Sequence, residues 1–588
     1  MSTTLPVVAT KPDFIGQLLR DQHALSAVER FSLINEGRLP STHSEAAFFR
    51  TENPVLSQNT VAYEPAQSRY YRDLLPASPP GPGQQYAFEV NLDKCSGCKA
   101  CVVACHTLNG LDEEEAWRRV GTVVGLADQG YIQHVTTACH HCEDPRCLQG
   151  CPVKAYEKDP KTGIVRHLDD QCIGCKYCTM MCPYEVPRYS ERLGIVRKCD
   201  MCHQRLSTGE APACVQACPN AAIAITVVAT RQDTTLSDPD NVSNARLAAG
   251  APTSRITSPT TRYTTKHIES YRVAAPQDAG VDQVAESHWP LAAMLVATQL
   301  SVGIVLLERL TTMLLFFCGE TLPADTSRIA ATAALLIGGF GLGLAPLHLG
   351  QPLRAWRVFL GLRTSWLSRE AVLLGKYVGL LAMATAILWS GAAADYLPSG
   401  WSDALSPDAT AIVLMLAAVF GLVGLYSSAM IYIVTGRRLW RPERTLPRFF
   451  GSAAVGGLAW AIPLLLIAPR SWHLALIASL GVAFLLPVKL IWEYRIQLTA
   501  CSHCDEFDGR SRRLALGPLR KLTVARYTAG SAAVGLAVFA AVFVSTMPME
   551  CSLLVGLGIA ILASGGELCE RLLYFSTVIY ERMPGSLR

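Results

Sequence analysis

The chain has 588 residues, half of them hydrophobic, and a formal net charge of only +4. That length argues for more than one domain, and so small a net charge gives no indication of nucleic acid. Its 21 cysteines sit in a chain whose residues 1–40 lack the apolar run of a secretory leader. Metal is therefore the expected use of these thiols, not a disulfide framework.

Residues 1–85 read as an N-terminal helical extension and linker. Phe14, Leu18, Leu25, Val28 and Phe31 recur at helical spacing, which suits an amphipathic helix docked on its own protein or on a partner subunit. LPASPPGPG (75–83) is rich in turn formers. Residues 86–228 hold the patterned cysteines, with short β-like pieces at 86–92, 131–137, 163–168 and 221–228. Residues 229–287, rich in Thr, Ser, Asp and Ala, have no sustained apolar period and are expected to form an extended polar linker of little order. From 288 to 588 eight apolar stretches follow, near 290–307, 329–347, 371–393, 409–434, 450–468, 472–492, 524–545 and 550–575. The first is open to continuation through Met313–Phe317. Each has membrane-spanning length, and eight in succession specify a helical membrane bundle.

Sixteen cysteines form four groups. The first is Cys95, Cys98, Cys101 and Cys105. The second is Cys139, Cys142, Cys147 and Cys151. The third is Cys172, Cys175, Cys178 and Cys182. The fourth is Cys199, Cys202, Cys214 and Cys218. The first and third have the ferredoxin spacing, in which three close thiolates take one cubane and the fourth thiolate serves another. Thiolate is the soft ligand that tetrahedral iron–sulfur centres need. Zinc also binds Cys-x2-Cys pairs, but as two pairs and not as a triplet with a distant fourth. Four groups of four supply the ligands of four 4Fe–4S clusters. Pro152, Pro183 and Pro219 follow the last cysteine of three groups; His106 stands there in the first. His106, His140, His141 and His203 are not needed as ligands. Cys501 and Cys504 form a lone pair in a polar loop, and Cys318, Cys551 and Cys569 read as small hydrophobes.

CSGCKACVVACHTLNG (95–110), CHHCEDPRCLQGCPVKA (139–155), DDQCIGCKYCTMMCPYEVPRY (169–189) and KCDMCHQRL with PACVQACP (198–219) resemble the iron–sulfur subunit of the dimethyl sulfoxide reductase family of molybdoenzymes. LHLGQPLRAWRVFLGLRTSWLSRE (347–370), ESHWPL (286–291) and GELCERLLYF (566–575) resemble the membrane-anchor subunit of the same family. The chain thus looks like a fusion of two subunits usually encoded separately. The implied fold is an α+β ferredoxin-like domain with four 4Fe–4S clusters, followed by an all-α bundle of eight transmembrane helices. The spacing shows only that fourth ligands are exchanged. The resemblance implies the partners: Cys95, Cys98, Cys101 with Cys218; Cys105 with Cys199, Cys202, Cys214; Cys139, Cys142, Cys147 with Cys182; Cys151 with Cys172, Cys175, Cys178.

His348 ends the second span and Glu370 opens the third, both on the side of the cysteine domain. Quinol oxidation needs a proton acceptor near the membrane surface, and titratable groups at span ends are candidates. A helix cap at Glu370 and a loop hydrogen bond at His348 are the structural alternatives. The resembled anchor uses a His and a Glu at these motif positions for quinol; Arg354 and Arg369 are weaker candidates. His288, His348 and His473 are the histidines near the spans, all at span ends, so haem is not expected. Acidic residues are sparse in the spans, so proton pumping is not expected either.

Arg437, Arg438, Arg441, Arg444, Arg512 and Arg513 lie in loops on the cysteine-domain side, while 395–408 opposite is acidic or neutral. The positive-inside rule puts the cysteine domain in the cytoplasm of a bacterial inner membrane, with a periplasmic placement as the alternative. The expected role is electron transfer and anchoring in anaerobic respiration. Quinol or menaquinol would feed a separate molybdopterin-containing catalytic subunit through the clusters, and quinol oxidation would be this chain's only own chemistry. The alternatives are a polysulfide, tetrathionate or nitrate reductase-like partner, or a membrane redox module without a molybdoenzyme.

Overall fold

The computed structural model describes residues 68–125, 130–230, 246–248, 250–392, 407–467, 472–498 and 506–585. The N-terminal amphipathic stretch at 14–34, residues 395–406 of the loop at 395–408 and the Cys501/Cys504 pair lie outside the described residues.

Short strands hold the cysteine domain together, and each pairing joins two cysteine groups. β1 (Gln84–Asn91) runs antiparallel to β8 (Ile223–Ala229), with Gln84 opposite Ala229 and Val90 opposite Ile223. This register sets Cys95, just after β1, beside Cys218, just before β8. β2 (Arg119–Val124) and β3 (Ile132–Thr137) form a hairpin that leads into Cys139. β4 (Tyr156–Lys158) with β5 (Val165–His167) folds Cys151 back towards Cys172. β6 (Arg188–Ser190) with β7 (Ile195–Arg197) does the same for Cys182 and Cys199.

The described part of 229–287 is packed, contrary to the expectation of a loose linker. β9 (Arg262–Thr264) adds a parallel strand to β1, and β10 (Ala275–Pro276) pairs with β2. The amides of Glu143 and Asp144 donate to the carbonyls of Ser258 and Thr257 at 2.9 and 3.1 Å. This segment closes the second cysteine group with backbone and hydroxyl bonds and with a few scattered apolar residues, Ala248, Ala251, Tyr263 and Ala274. Its sequence therefore carries no hydrophobic period.

Among the described residues eight long helices follow: α1 (Trp289–Phe317), α2 (Ala324–Leu344), α3 (Trp366–Ala392), α4 (Pro407–Ile433), α5 (Pro442–Ile467), α6 (Trp472–Gln497), α7 (Arg520–Phe543) and α8 (Met549–Ser576). All eight are long and apolar enough to span a membrane. α1 continues unbroken to Phe317. α5 starts at Pro442 and not near 450, because its first turns, PERTLPRF, are helical but polar. One core joins α1 to α5 and another joins α5 to α8. α1 and α5 cross where a Cβ on Gly303 would lie 2.0 Å from the Ala453 carbonyl oxygen and one on Gly457 2.5 Å from that of Gly303. Only glycine permits that approach.

The two halves dock without a gap. The 348–370 loop enters the cysteine domain: the Gln351 amide donates to the Ile173 carbonyl at 3.0 Å and Gln351 Nε2 to that of Leu193 at 2.8 Å. Arg354 Nη1 reaches the Asp169 carbonyl at 3.3 Å, and Ser365 Oγ donates to that of Gly150 at 2.7 Å. A Cβ on Gly350 would meet the Gly194 oxygen at 2.0 Å. After α8 the chain returns to the cysteine domain, where Tyr580 Oη donates to Glu185 and the Gly585 amide to Asp278 at 3.2 Å.

Candidate functional site

Each cysteine group is shaped by one repeated backbone device. The residue before the second cysteine is left-handed in all four groups: Gly97 (φ 73°), His141 (39°), Gly174 (69°) and Met201 (59°). That kink turns consecutive amides and thiols towards one point, at a steric cost for the non-glycine residues. Three residues after the last cysteine of the proline-bearing groups, Lys154, Glu185 and Ala221 are left-handed too. A residue before proline is driven out of the helical region. Cys151 and Cys182 accordingly end their short helices in extended conformation. The first group has no such proline, and its helix runs on past Cys105 to Leu108.

Tertiary structure gathers the sixteen thiols into four sets. Cys95, Cys98, Cys101 and Cys218 line one cavity. Cys139, Cys142, Cys147 and Cys182 line a second, and Cys105, Cys199, Cys202 and Cys214 a third. Cys151, Cys172, Cys175 and Cys178 pack in one core and face one another electrostatically. All sixteen are free thiols. Among the described residues no three His, Cys, Asp or Glu side chains are close enough to hold a single metal ion. Four thiols converging on each set, three from one group and one from another, suit a polynuclear iron–sulfur centre.

The surroundings fit such a centre. Amides donate to sulfur from Ala155 to Cys151 at 3.2 Å, from Met201 to Cys199 at 3.4 Å and from Ala222 to Cys218 at 3.2 Å. Burial, reinforced by the Cys139 thiolate and Asp200, pushes the Cys199 thiol up to about 12. Burial likewise pushes Cys182 up to about 11. Without iron these thiols keep their protons at neutral pH, so iron binding displaces protons. Each of the four neighbouring histidines has one ring nitrogen engaged away from sulfur, while Nε2 of His140 and of His141 is buried without a partner. His106 Nε2 pairs with the Asp112 carbonyl at 3.1 Å, His140 Nδ1 with Thr261 Oγ1 at 2.9 Å and His203 Nδ1 with Asp200 at 2.8 Å. His141 Nδ1 accepts from the Val165 amide at 3.1 Å.

The set containing Cys175 lies against the bundle. Cys175, Tyr177 and Met181 share a core with Leu344, Trp366, Ile431 and Tyr432. Tyr177 Oη donates to the Ile431 carbonyl at 3.0 Å. His348 closes a 3-10 turn after α2; its Nδ1 is buried, and the Ala345 backbone, His288 and Lys176 lie around the ring. Glu370 is buried in α3, where Ser428 Oγ of α4 donates to Oε1 at 2.5 Å. Tyr177 and Tyr432 face Glu370. His348 and Glu370 therefore flank one wedge of the cysteine domain, Lys176 on the first side and Tyr177 on the second. Arg354 binds the docked domain, and Arg369 donates to the carbonyls of its own loop.

Sequence reading missed the charges buried inside the bundle. Glu567 of α8 pairs with Lys489 of α6 and, at 3.0 Å, with Arg526 of α7. Arg526 also pairs with Glu493 at 2.9 Å, and Glu570 lies 3.4 Å from Arg448 of α5. Four cations, Arg448, Lys489, Arg526 and Arg571, thus meet three carboxylates, Glu493, Glu567 and Glu570. The surplus charge faces rings and dipoles: Arg571 stands 4.1 Å over Phe449 and donates to Gln299 Oε1 at 3.1 Å. Each of these residues is diluted in its own apolar span. The signal available in sequence was glutamate and basic residues recurring near the cysteine-domain ends of four successive spans.

Comparison with known proteins agrees with both halves. The family described as a 4Fe-4S dicluster domain matches residues 131–228, and the DMSO reductase anchor subunit (DmsC) family matches 284–576. One subunit of the anaerobic dimethyl sulfoxide reductase of Escherichia coli K12 is 39% identical over 144 residues, covering 23% of this chain and 70% of that protein. The thiosulfate reductase electron transfer subunit PhsB of Salmonella typhi is 37% identical over 145 residues, 24% of this chain and 74% of that one. The hydrogenase-2 operon protein HybA of Escherichia coli O157:H7 is 36% identical over 157 residues, 22% and 48% respectively.

Proposed function

Because the chain belongs to the family of dimethyl sulfoxide reductase iron–sulfur subunits, fused here to a DmsC-type membrane anchor, we propose that it carries electrons from quinol, or menaquinol, to a separate molybdopterin-containing subunit through four 4Fe–4S clusters. The observation that carries this reading is the wedge Cys175-Lys176-Tyr177, seated between His348 and Glu370 at the end of the bundle.

Quinol oxidation releases two electrons and two protons. Glu370, steadied at Oε1 by Ser428, accepts one hydroxyl proton at its carboxylate, and His348 Nδ1 accepts the hydrogen bond and then the proton of the other hydroxyl. The clusters, when bound, supply single-electron carriers. The residues that hold them run outward from the Cys151/Cys172/Cys175/Cys178 set, through Cys139/Cys142/Cys147/Cys182 and Cys105/Cys199/Cys202/Cys214, to Cys95/Cys98/Cys101/Cys218. Cys98 is exposed there, ready for a partner. The terminal substrate belongs to that partner: relatives named for sulfoxide and for thiosulfate reduction share nearly the same identity with this chain.

In His348→Ala and Glu370→Gln, cluster reduction by quinol is abolished while reduction by dithionite is retained, as read by cluster absorbance. Unchanged quinol kinetics would remove these residues from the site. The basic loops favour a cytoplasmic cysteine domain, with a periplasmic one as the alternative. Cys501 is then protected from impermeant thiol reagents in sealed right-side-out vesicles, and labelling there reverses the orientation.

A further inference from the structure

Three junctions separate the four cysteine sets, and one buried side chain stands at each. At the first, Arg118 is 2% exposed. Its guanidinium lies 4.6 Å over the Phe88 ring and Nη1 donates to Thr136 Oγ1 at 3.2 Å. Its charge faces Cys101 of the outermost set and Cys105, Cys199 and Cys214 of the next. At the second, Lys198 is also 2% exposed. Nζ donates to Cys139 Sγ at 3.6 Å, to the Cys199 carbonyl at 2.9 Å and to the Val165 carbonyl. Those three acceptors saturate an ammonium group. At the third, between Cys147 on one side and Cys151 and Cys178 on the other, stands the neutral phenol of Tyr156.

Neither cation has the partner that burial ordinarily demands. Among the described residues no carboxylate forms a salt bridge with Arg118 or Lys198. Asp200, which faces Lys198, is held by His203 Nδ1 at 2.8 Å and the Cys202 amide at 2.9 Å. A buried charge left unpaired is strongly unfavourable, so the compensating negative charge must come from what the thiolates hold. A thiolate-ligated cluster is anionic and gains one more negative charge on reduction. A fixed cation in a low-dielectric site favours the reduced form.

We propose that Arg118 and Lys198 are potential-setting residues. As permanent positive charges at two of the three junctions, they raise the reduction potentials of the clusters they touch. The Cys105/Cys199/Cys202/Cys214 set meets both cations and is the most favoured resting place for an electron. The membrane-side set meets Tyr156 and His167, the latter already paired with Asp169 at 2.7 Å, so electrons leaving quinol run towards the unpaired cations. Each transfer moves one electron, oxidising one cluster and reducing its neighbour, with no proton or bond exchanged. The inference rests on the four-cluster reading above.

The test is a potentiometric titration of the purified full-length protein, followed by paramagnetic resonance of the reduced clusters. It compares Lys198→Gln with Lys198→Arg and Arg118→Gln with Arg118→Lys, with iron and sulfide contents measured throughout. In each glutamine variant two cluster signals shift to more negative potential. The reduced-to-oxidised ratio at fixed potential falls about tenfold, equivalent to about 59 mV for a one-electron couple. The charge-preserving variants stay at the wild-type midpoints. Unchanged midpoints in a glutamine variant with full iron overturn the proposal for that position. Loss of iron from the glutamine variants at both positions assigns a structural role and overturns it altogether. Fewer than four cluster signals in the wild type would instead sink the four-cluster reading.

Discussion

In the cysteine domain the buried cations Arg118 and Lys198 face sulfur and carbonyl groups, whereas in the bundle Lys489 and Arg526 face Glu567 and Glu493. The bundle network finds its counter-charges within the protein, although both carboxylate oxygens of Glu570 lack a hydrogen bond. Its carboxylates pair with its cations, and its surplus charge meets Phe449, Tyr574 and Gln299. The pair in the cysteine domain is closed only by the centres that the thiols bind. The contrast is between buried charge whose counter-charge is protein and buried charge whose counter-charge is not. The network in α5–α8 ties four helices across a medium without water to satisfy them.

Three changes break or sharpen that contrast. The largest effect is expected from Glu567→Gln, which leaves Lys489 and Arg526 short of one carboxylate inside the bundle. It destabilises the protein by about 3–5 kcal/mol, read as a lowered thermal midpoint of the detergent-solubilised chain, with cluster potentials unmoved in the molecules that fold. Equal stability would show the network to be more hydrated than its burial implies. Gly350→Ala comes next. Its Cβ would meet backbone at Gly194, so the two halves must part, at about 1–3 kcal/mol. Quinol-driven cluster reduction slows while dithionite reduction does not; parallel loss of both would place the damage in the cysteine domain itself. The smallest is Ser428→Ala, which removes the hydrogen bond to Glu370. It contributes about 1 kcal/mol and slows quinol oxidation several-fold; an unchanged rate would separate Ser428 from the proton step.

Much of the architecture was legible because it is written locally. The eight helices follow from runs of apolar residues, and the strands beside the cysteines from short β-branched pieces such as IAITVV. The packed course of residues 250–285 was not legible, since Thr257, Ser258 and Thr260 hold the second cysteine group through backbone and hydroxyl bonds that leave no hydrophobic period. The seat of His348 and Glu370 was half legible. Their place at span ends follows from hydropathy, but their division by Lys176 and Tyr177 depends on how the domain docks.

By itself, then, the sequence determined that sixteen thiols are grouped for iron–sulfur chemistry and that eight spans follow them, because ligand spacing and hydropathy are properties of neighbouring residues. Only the tertiary structure decided which groups share a set, what stands between the sets and which charges meet inside the bundle. Those outcomes depend on the β1–β8 register, which joins Cys95 to Cys218, and on helix packing, which joins Arg448 to Glu570. Contacts between residues more than a hundred positions apart obey geometry that no local pattern records.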